Sequence, residues 1–183
     1  GSGLSVIFAH LSERNINSML FGSFMALVII SMILIFALKS LPIGLMSLVP
    51  NLFPAAMAFG LWGYLVGEVG IAIAVVGAMT LGIVVDDTVH FLSKYLRGRK
   101  ELNKSPEDAT RYAFTTVGFA LTVTSCALIG GFMVLASSGF RVNSDLAQLS
   151  MINIAFALIA DFLFLPPLLM KLENFRNKLK LIL

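Results

Sequence analysis

The sequence predicts an all-α integral membrane protein: a bundle of five transmembrane helices preceded by a short amphipathic helix. Composition, the length of the apolar segments and the distribution of basic residues predict this class. Hydrophobic residues make up 58% of the 183 and charged residues 13%, whereas soluble domains are about 45–50% apolar and about 25% charged. A soluble chain of this composition could not cover its surface with polar groups, so lipid is the expected solvent.

Five apolar segments have the length of a membrane span, for which roughly 20 mostly apolar residues are needed. Core helices of a large soluble protein are the alternative. Five segments of spanning length, with basic joints that alternate along the chain, argue against that alternative. The segments cover residues 18–38, 41–66, 71–92, 113–136 and 146–169.

The remaining residues form a remnant, a connector, a loop and a tail. Residues 1–3 resemble a cloning remnant and are set aside. In the connector, Leu4, Ile7, Phe8 and Leu11 share one helical face. The predicted divisions are 1–3, an amphipathic connector helix at 4–17, a five-helix domain at 18–170 with a cytoplasmic loop at 93–112, and a basic cytoplasmic tail at 171–183.

Lysine and arginine predict the orientation, because cytoplasmic loops carry an excess of them. Eleven of the 13 fall on one side of the membrane and only Arg14 and Arg141 on the other. The basic balance is therefore a topology signal, and nucleic-acid binding is not expected. A bacterial inner membrane location is predicted, with an extracytoplasmic N-terminus. The eleven are Lys39, Lys94, Arg97, Arg99, Lys100, Lys104, Arg111, Lys171, Arg176, Lys178 and Lys180.

Two adjacent aspartates interrupt the third apolar segment. Gly82, Asp86 and His90 are spaced i, i+4 and i+8 and share one helix face, whereas Asp87 lies about 100° around the helix. A carboxylate in a bilayer costs at least about 2.5–3.5 kcal/mol. Two neighbouring charges repel, so at least one aspartate should carry a proton part of the time. The pattern favours a proton relay, with Asp86 as the better candidate.

A shorter helix would instead place both aspartates in the cytoplasmic headgroup layer. Asp86 lies 15 residues after Ile71, or roughly 22 Å along a hydrocarbon core about 30 Å thick. This position is past the midplane but still inside the core. For His90, both an interfacial position and an extension of the relay remain open.

Further polar residues lie in the last two segments. Asp161 and Asn153 could extend the relay or form hydrogen bonds between helices. Thr122 and Ser125 could pack against neighbours or face the aspartates. Gly130 and its neighbour Gly131 are expected to permit close helix packing, and prolines 50 and 54 to kink the second segment.

Soluble-enzyme patterns are absent from the sequence. There is no phosphate-binding loop, no Cys/His metal cluster and no nucleophile with a suitable base. The single cysteine, Cys126, cannot form an intrachain disulfide. We expect neither an enzyme nor a metal or organic cofactor; protons are the expected coupling ion.

The run from Gly82 through Asp86-Asp87 to Leu92 resembles the fourth-helix GxxxDD signature of the resistance-nodulation-division (RND) superfamily. The predicted-exporter, mycobacterial large-membrane-protein and Patched-like branches are the most similar. Further matches are Leu48-Val49-Pro50, the run 124–132 and the run 160–167. The resemblance covers one five-helix unit, which corresponds to the sterol-sensing domain of eukaryotic relatives.

The resemblance implies proton-driven export of lipids or other hydrophobic compounds, with Asp86 and Asp87 as relay acids. It also implies that a second half and an extracytoplasmic domain complete the transporter. A sterol-sensing-type module that binds lipid without transport is the alternative. Expected partners are membrane lipids and a hydrophobic substrate; self-association into a homo-oligomer is left open.

Overall fold

The computed structural model describes residues 21–36 (except 23, 27 and 34), 48–67 and 71–182, and within these the side chains of 71–75, 78, 81 and 174–182 are not described. The predicted connector at 4–17 therefore lies outside the described residues. The residues described between 21 and 36 are helical. The longer elements are α1 (Leu48–Leu65), α2 (Ile71–Lys100), α3 (Pro106–Ala113), α4 (Phe119–Ala136), α5 (Arg141–Ile159) and α6 (Leu165–Ile182).

The predicted all-α membrane class is confirmed, since the described residues contain helices and no strand. Three stretches are long and apolar enough to cross a membrane: Leu48–Leu65, Pro106–Ala136 and Arg141–Glu173. The two longer stretches each contain a π-helical turn, at Phe114–Gly118 and Ala160–Phe164, which joins two α-helices without a break. The total of five spans stays a prediction, because parts of the first and third predicted spans lie outside the described residues and side chains.

The predicted loop at 93–112 is largely helical. α2 continues through Lys100, because nothing in residues 93–100 breaks a helix and basic side chains suit a helix C-terminus. Asn103 then adopts a left-handed φ of 48° and ends the helix, a conformation that asparagine tolerates. The connection is therefore confined to residues 101–105. The predicted tail likewise continues α6 as far as Ile182.

α3 begins directly after Ser105, which caps it. The Ser105 side chain accepts a hydrogen bond from the Asp108 backbone N–H at 3.1 Å, and Pro106 occupies the first helical position. α3 then passes through the first π-helical turn into α4. The helix predicted for 113–136 therefore begins seven residues earlier, at Pro106.

α2 and α3 approach closely where Gly98 faces Ala109. A Cβ atom on Gly98 would lie 3.1 Å from the Ala109 Cα, closer than a side chain can be accommodated without a shift. Gly130 and Gly131 differ, since a Cβ there would meet no atom within 4 Å. The close packing predicted at this glycine pair is not found among the described residues, because α4 turns that face away from its described neighbours.

α5 is the central helix of the described bundle and contacts α1, α2 and α4. A cluster around Trp62, Val76 and Leu149 joins α1 and α2 to α5. A second cluster, at the end of α2, packs Phe91 and Tyr95 against α3, α4 and α6. Fixed between these clusters, the middle of α2 carries the two aspartates.

An ion pair closes the end of the bundle at which α2 terminates. Arg99 binds Glu173 of α6 through two contacts, Nε to Oε1 at 2.9 Å and Nη2 to Oε2 at 2.8 Å. Arg99 also donates to the backbone carbonyl of Lys104. The Glu173 side chain is 7% exposed. This charge-assisted hydrogen bond and ion pair fix α2, the connection and α6 relative to each other.

Candidate functional site

An open groove of about 750 Å³ runs between α2 and α4. The face predicted from the i, i+4, i+8 spacing lines it, since Gly82, Asp86 and His90 all border the groove. A Cβ at Gly82 would meet no atom within 4 Å, so this glycine leaves space beside the aspartates. The other lining residues are Ile83, Asp87, Val117, Ala120, Leu121, Thr124 and Leu128.

Asp86 and His90 form a pair on the open side of the groove. His90 Nε2 lies 3.6 Å from Asp86 Oδ1. The His90 side chain is 59% exposed and the Asp86 side chain is 72% exposed. The distance is within ion-pair range but beyond an ordinary hydrogen bond. Both groups can therefore be reached from the groove, and each can exchange a proton there.

Asp87 is more enclosed and contacts the opposite wall. Ser125 of α4 donates a hydrogen bond to Asp87 Oδ2 at 3.2 Å. Ser125 itself is 1% exposed. Of the two hydroxyl residues predicted in α4, Ser125 therefore faces the aspartates, and it is the link between Asp87 and that helix.

Thr122 does not reach the aspartates. Its hydroxyl donates to the Gly118 carbonyl of its own helix at 2.9 Å, the common arrangement of a helical threonine. Asn153 lies in the interior of α5 and donates through Nδ2 to Thr80 Oγ1 of α2. Of the alternatives left open for Asn153, the geometry fits a hydrogen bond between helices.

Asp161 is 1% exposed in the second π-helical turn and approaches α2 on the side away from the groove. Thr88 Oγ1 lies 2.8 Å from Asp161 Oδ1 and 2.8 Å from Asn51 Oδ1 of α1. Thr88 and Asn51 are also buried. The Thr88 hydroxyl of α2 thus connects the Asn51 amide of α1 to the Asp161 acid of the second π-helical turn.

Sequence reasoning gave no role to Thr88 or Asn51. Thr88 lies within the run from Gly82 to Leu92, and Asn51 directly follows Leu48-Val49-Pro50. A single threonine or asparagine in an apolar segment carries no periodic signal of its own. The available signal was that buried polar side chains need partners. Thr88, Asn51 and Asp161 each lie in a separate apolar segment, so they could have been predicted to bind one another for that reason.

Within the described part of the chain, no group of three or more histidine, cysteine, aspartate or glutamate side chains is placed to hold a metal ion. What the groove offers is paired carboxyls, an imidazole and a hydroxyl. These groups can bind, hold and pass protons.

The comparison with known families matches residues 2–179 to the MMPL family. The chain therefore belongs to the MMPL family, and it is a multi-pass membrane protein of the kind that the RND resemblance implied. A membrane protein of Methanocaldococcus jannaschii is 24% identical over 159 residues, a match that covers 87% of this chain and 41% of the relative. The chain thus spans well under half the length of that relative.

Proposed function

We propose that this chain is the membrane-embedded part of a proton-driven exporter of lipids or other hydrophobic compounds. The observation that carries the proposal is the position of Asp86 and Asp87, adjacent in sequence and bordering one groove in a mainly apolar bundle. Carboxyls within a membrane span are costly and are found mainly where ions or protons pass. Membership of the MMPL family supports a transporter module.

In this proposal the two aspartates have different roles. Asp86 and His90, on the open side, exchange protons with the groove. Asp87 transmits the resulting change in charge to α4 through its hydrogen bond with Ser125. Two adjacent carboxylates repel each other when both are ionised. Proton binding removes this repulsion, which allows the apolar wall formed by α4 to move toward α2, and proton release reverses the movement.

The proposal includes a second half for the complete transporter. The relative is more than twice as long as the matched region. We expect the remainder to supply groups that face the groove and an extracytoplasmic domain that receives the substrate. The expected setting is a cytoplasmic membrane, with the basic joint after α2 inside; protons are the coupling ion and membrane lipids the surroundings.

Transport by the full-length protein in proteoliposomes tests this function. Under an imposed proton gradient, Asp87→Asn should abolish the export of a lipid substrate, and Asp86→Asn should reduce it at least tenfold. Asp145→Asn is the matched control, because Asp145 pairs with Arg141 at the start of α5, far along the sequence from the groove. Gradient-driven export that persists in both groove variants would contradict the proposal.

A lipid-binding module without transport is the second candidate. The apolar groove wall favours it, with Val117, Leu121 and Leu128 beside an open volume of about 750 Å³. This candidate predicts saturable binding of a photoreactive lipid that survives Asp86→Asn. Loss of both binding and transport in that variant would favour the exporter.

A further inference from the structure

The hydrogen bonds around Thr88 cannot all exist at once. Thr88 Oγ1 is at bonding distance from Asn51 Oδ1, from Asp161 Oδ1 and, at 3.3 Å, from the Val84 carbonyl. A hydroxyl has a single proton to donate. Three acceptor oxygens surround one donor, so at least one neighbour must itself bring a proton.

Two arrangements satisfy the chain from Asn51 through Thr88 to Asp161. With Asp161 protonated, its carboxyl donates to Thr88, and Thr88 donates to the Asn51 oxygen. With Asp161 ionised, Thr88 donates to the carboxylate, and the Asn51 amide must turn so that Nδ2 donates to Thr88. Asn51 Nδ2 has no partner among the described residues, so this turn breaks no described hydrogen bond.

The buried surroundings give the proton on Asp161 a definite energetic consequence. Asp161 Oδ2 is buried and has no hydrogen-bond partner in the described part. An ionised carboxylate would leave charge on an unpaired buried oxygen, whereas a protonated carboxyl leaves a neutral one there, at lower cost. The charged groups near this position are few: α1 contains no charged residue, α2 carries Asp87 beside Thr88, α5 has charges only at 141 and 145, and α6 only from 171 onward.

Both ends of the chain lie where the helical hydrogen bonding is weakened. Pro54 is inside α1 and has no N–H to donate to the carbonyl four residues earlier. Asp161 lies in a π-helical turn followed by two prolines. π-Turns within α-helices are frequent at functional sites. The same two elements also touch through the Phe53 and Phe164 rings, whose centroids are 4.9 Å apart.

We propose that Asp161 is a proton-binding site separate from the groove, and that its protonation reverses the donor order of the Asn51–Thr88–Asp161 chain and thereby repositions α1. The proposal deepens the proposed function, on which it rests for the source of protons. Asp87 borders the groove and directly precedes Thr88 on α2, so it connects the two sites. A proton bound in the groove thus affects Asp161, and Thr88 conveys the result to α1.

Infrared difference spectroscopy of the full chain in lipid nanodiscs tests the site. The carbonyl stretch of a protonated carboxyl, followed against pH, should disappear in Asp161→Asn and persist in the control Asp145→Asn. Thr88→Val should move its titration midpoint by about one pH unit, a change expected from loss of one hydrogen bond. Thr88→Ser keeps the hydroxyl and should restore the wild-type midpoint. The Thr88 variants therefore test the site even if Asp161→Asn fails to fold.

The single tryptophan, Trp62, reports on α1. It is 4% exposed and lies 11 residues after Asn51, about 16 Å along the same helix. Its fluorescence should change with the same midpoint as the infrared band. Asn51→Ala should abolish the fluorescence change while the band remains.

Three results would overturn the inference. The band could persist in Asp161→Asn and be lost in Asp87→Asn, which would assign the proton to the groove and leave the proposed function intact. The Thr88 variants could leave the midpoint unchanged. Sodium ions could shift the midpoint at constant pH and ionic strength, which would identify a cation site instead.

Discussion

At the scale of single residues, Ser125 and Asp87 form the contact that joins the two walls of the groove. Ser125 is buried and donates to Asp87 across the helix pair. The sequence indicated both residues but favoured Asp86 as the proton-relay acid. The geometry distinguishes their surroundings: Asp86 is 72% exposed beside His90, whereas Asp87 is held by the opposite helix.

Ser125→Ala should lower the stability of the bundle, because it removes a hydrogen bond to a carboxyl group. We expect a loss of about 1.5–3 kcal/mol, the range for hydrogen bonds to charged groups. The measurement is reversible unfolding in mixed micelles. Ser137→Ala is the control, since this exposed hydroxyl bonds only its own helix, at the Met133 carbonyl. Equal losses in the two variants would show that the Ser125–Asp87 contact contributes nothing specific.

At the scale of elements, the close approach of α2 and α3 depends on Gly98. Gly98→Ala gains about 0.5–1 kcal/mol of helix propensity. It also forces a methyl group to within 3.1 Å of backbone, and overpacking of this kind costs about 1–3 kcal/mol. We therefore expect net destabilisation, measured as a lower melting temperature.

Gly130→Ala is the matched variant for this prediction. The added methyl group meets no atom within 4 Å, so only the propensity gain remains and the melting temperature should rise. If both alanine variants were stabilised, the close approach at Gly98 would not constrain the helix pair.

The Arg99–Glu173 pair fixes α2 to α6, and its loss should be costly. Glu173→Gln leaves a partly buried guanidinium without its counter-charge, and we expect a loss of about 1.5–3 kcal/mol, the range for hydrogen bonds to charged groups. Glu101→Gln is the control, because the Arg97–Glu101 pair is exposed on both sides and should contribute under about 0.5 kcal/mol. Similar unfolding midpoints for the two variants would contradict the assigned role.

The pH dependence of this pair follows from the arginine. The hydrogen bond from Arg99 to Glu173 raises the pKa of the guanidinium above its ordinary value. A raised pKa means that the contribution of the arginine is fully present below its ordinary pKa and is lost as pH rises through the raised value. The stability difference between wild type and Glu173→Gln should therefore persist undiminished through the alkaline range in which proteins remain folded.

At the scale of the whole molecule, apolar segment length and charge asymmetry were sufficient to predict an all-α membrane bundle. Lipid imposes a strong constraint on such chains, because backbone groups must be paired within each segment. Helix ends were harder to predict. α2 continues beyond its apolar part to Lys100, and the chain turns away from the helix only at Asn103. The helical periodicity predicted that Gly82, Asp86 and His90 share one helix face, and all three line the groove.

The chain from Asn51 to Asp161 could not be derived in the same way. Its members lie 37 and 73 residues from Thr88, and no local pattern encodes how three helices meet. That arrangement depends on α5 being the central helix and on the π-helical turn that presents Asp161. Tertiary packing, rather than sequence spacing, creates this part of the molecule.

The central claim is that the groove aspartates couple proton movement to substrate movement. Simultaneous measurement of both fluxes in proteoliposomes that contain the full-length protein tests it most directly, with a pH-sensitive dye inside and a labelled lipid substrate. The account predicts that substrate triggers proton flux in a fixed ratio in the wild type and in Asp145→Asn, and that Asp87→Asn abolishes both fluxes together. Substrate export without proton flux, or an unchanged ratio in Asp87→Asn, would contradict it.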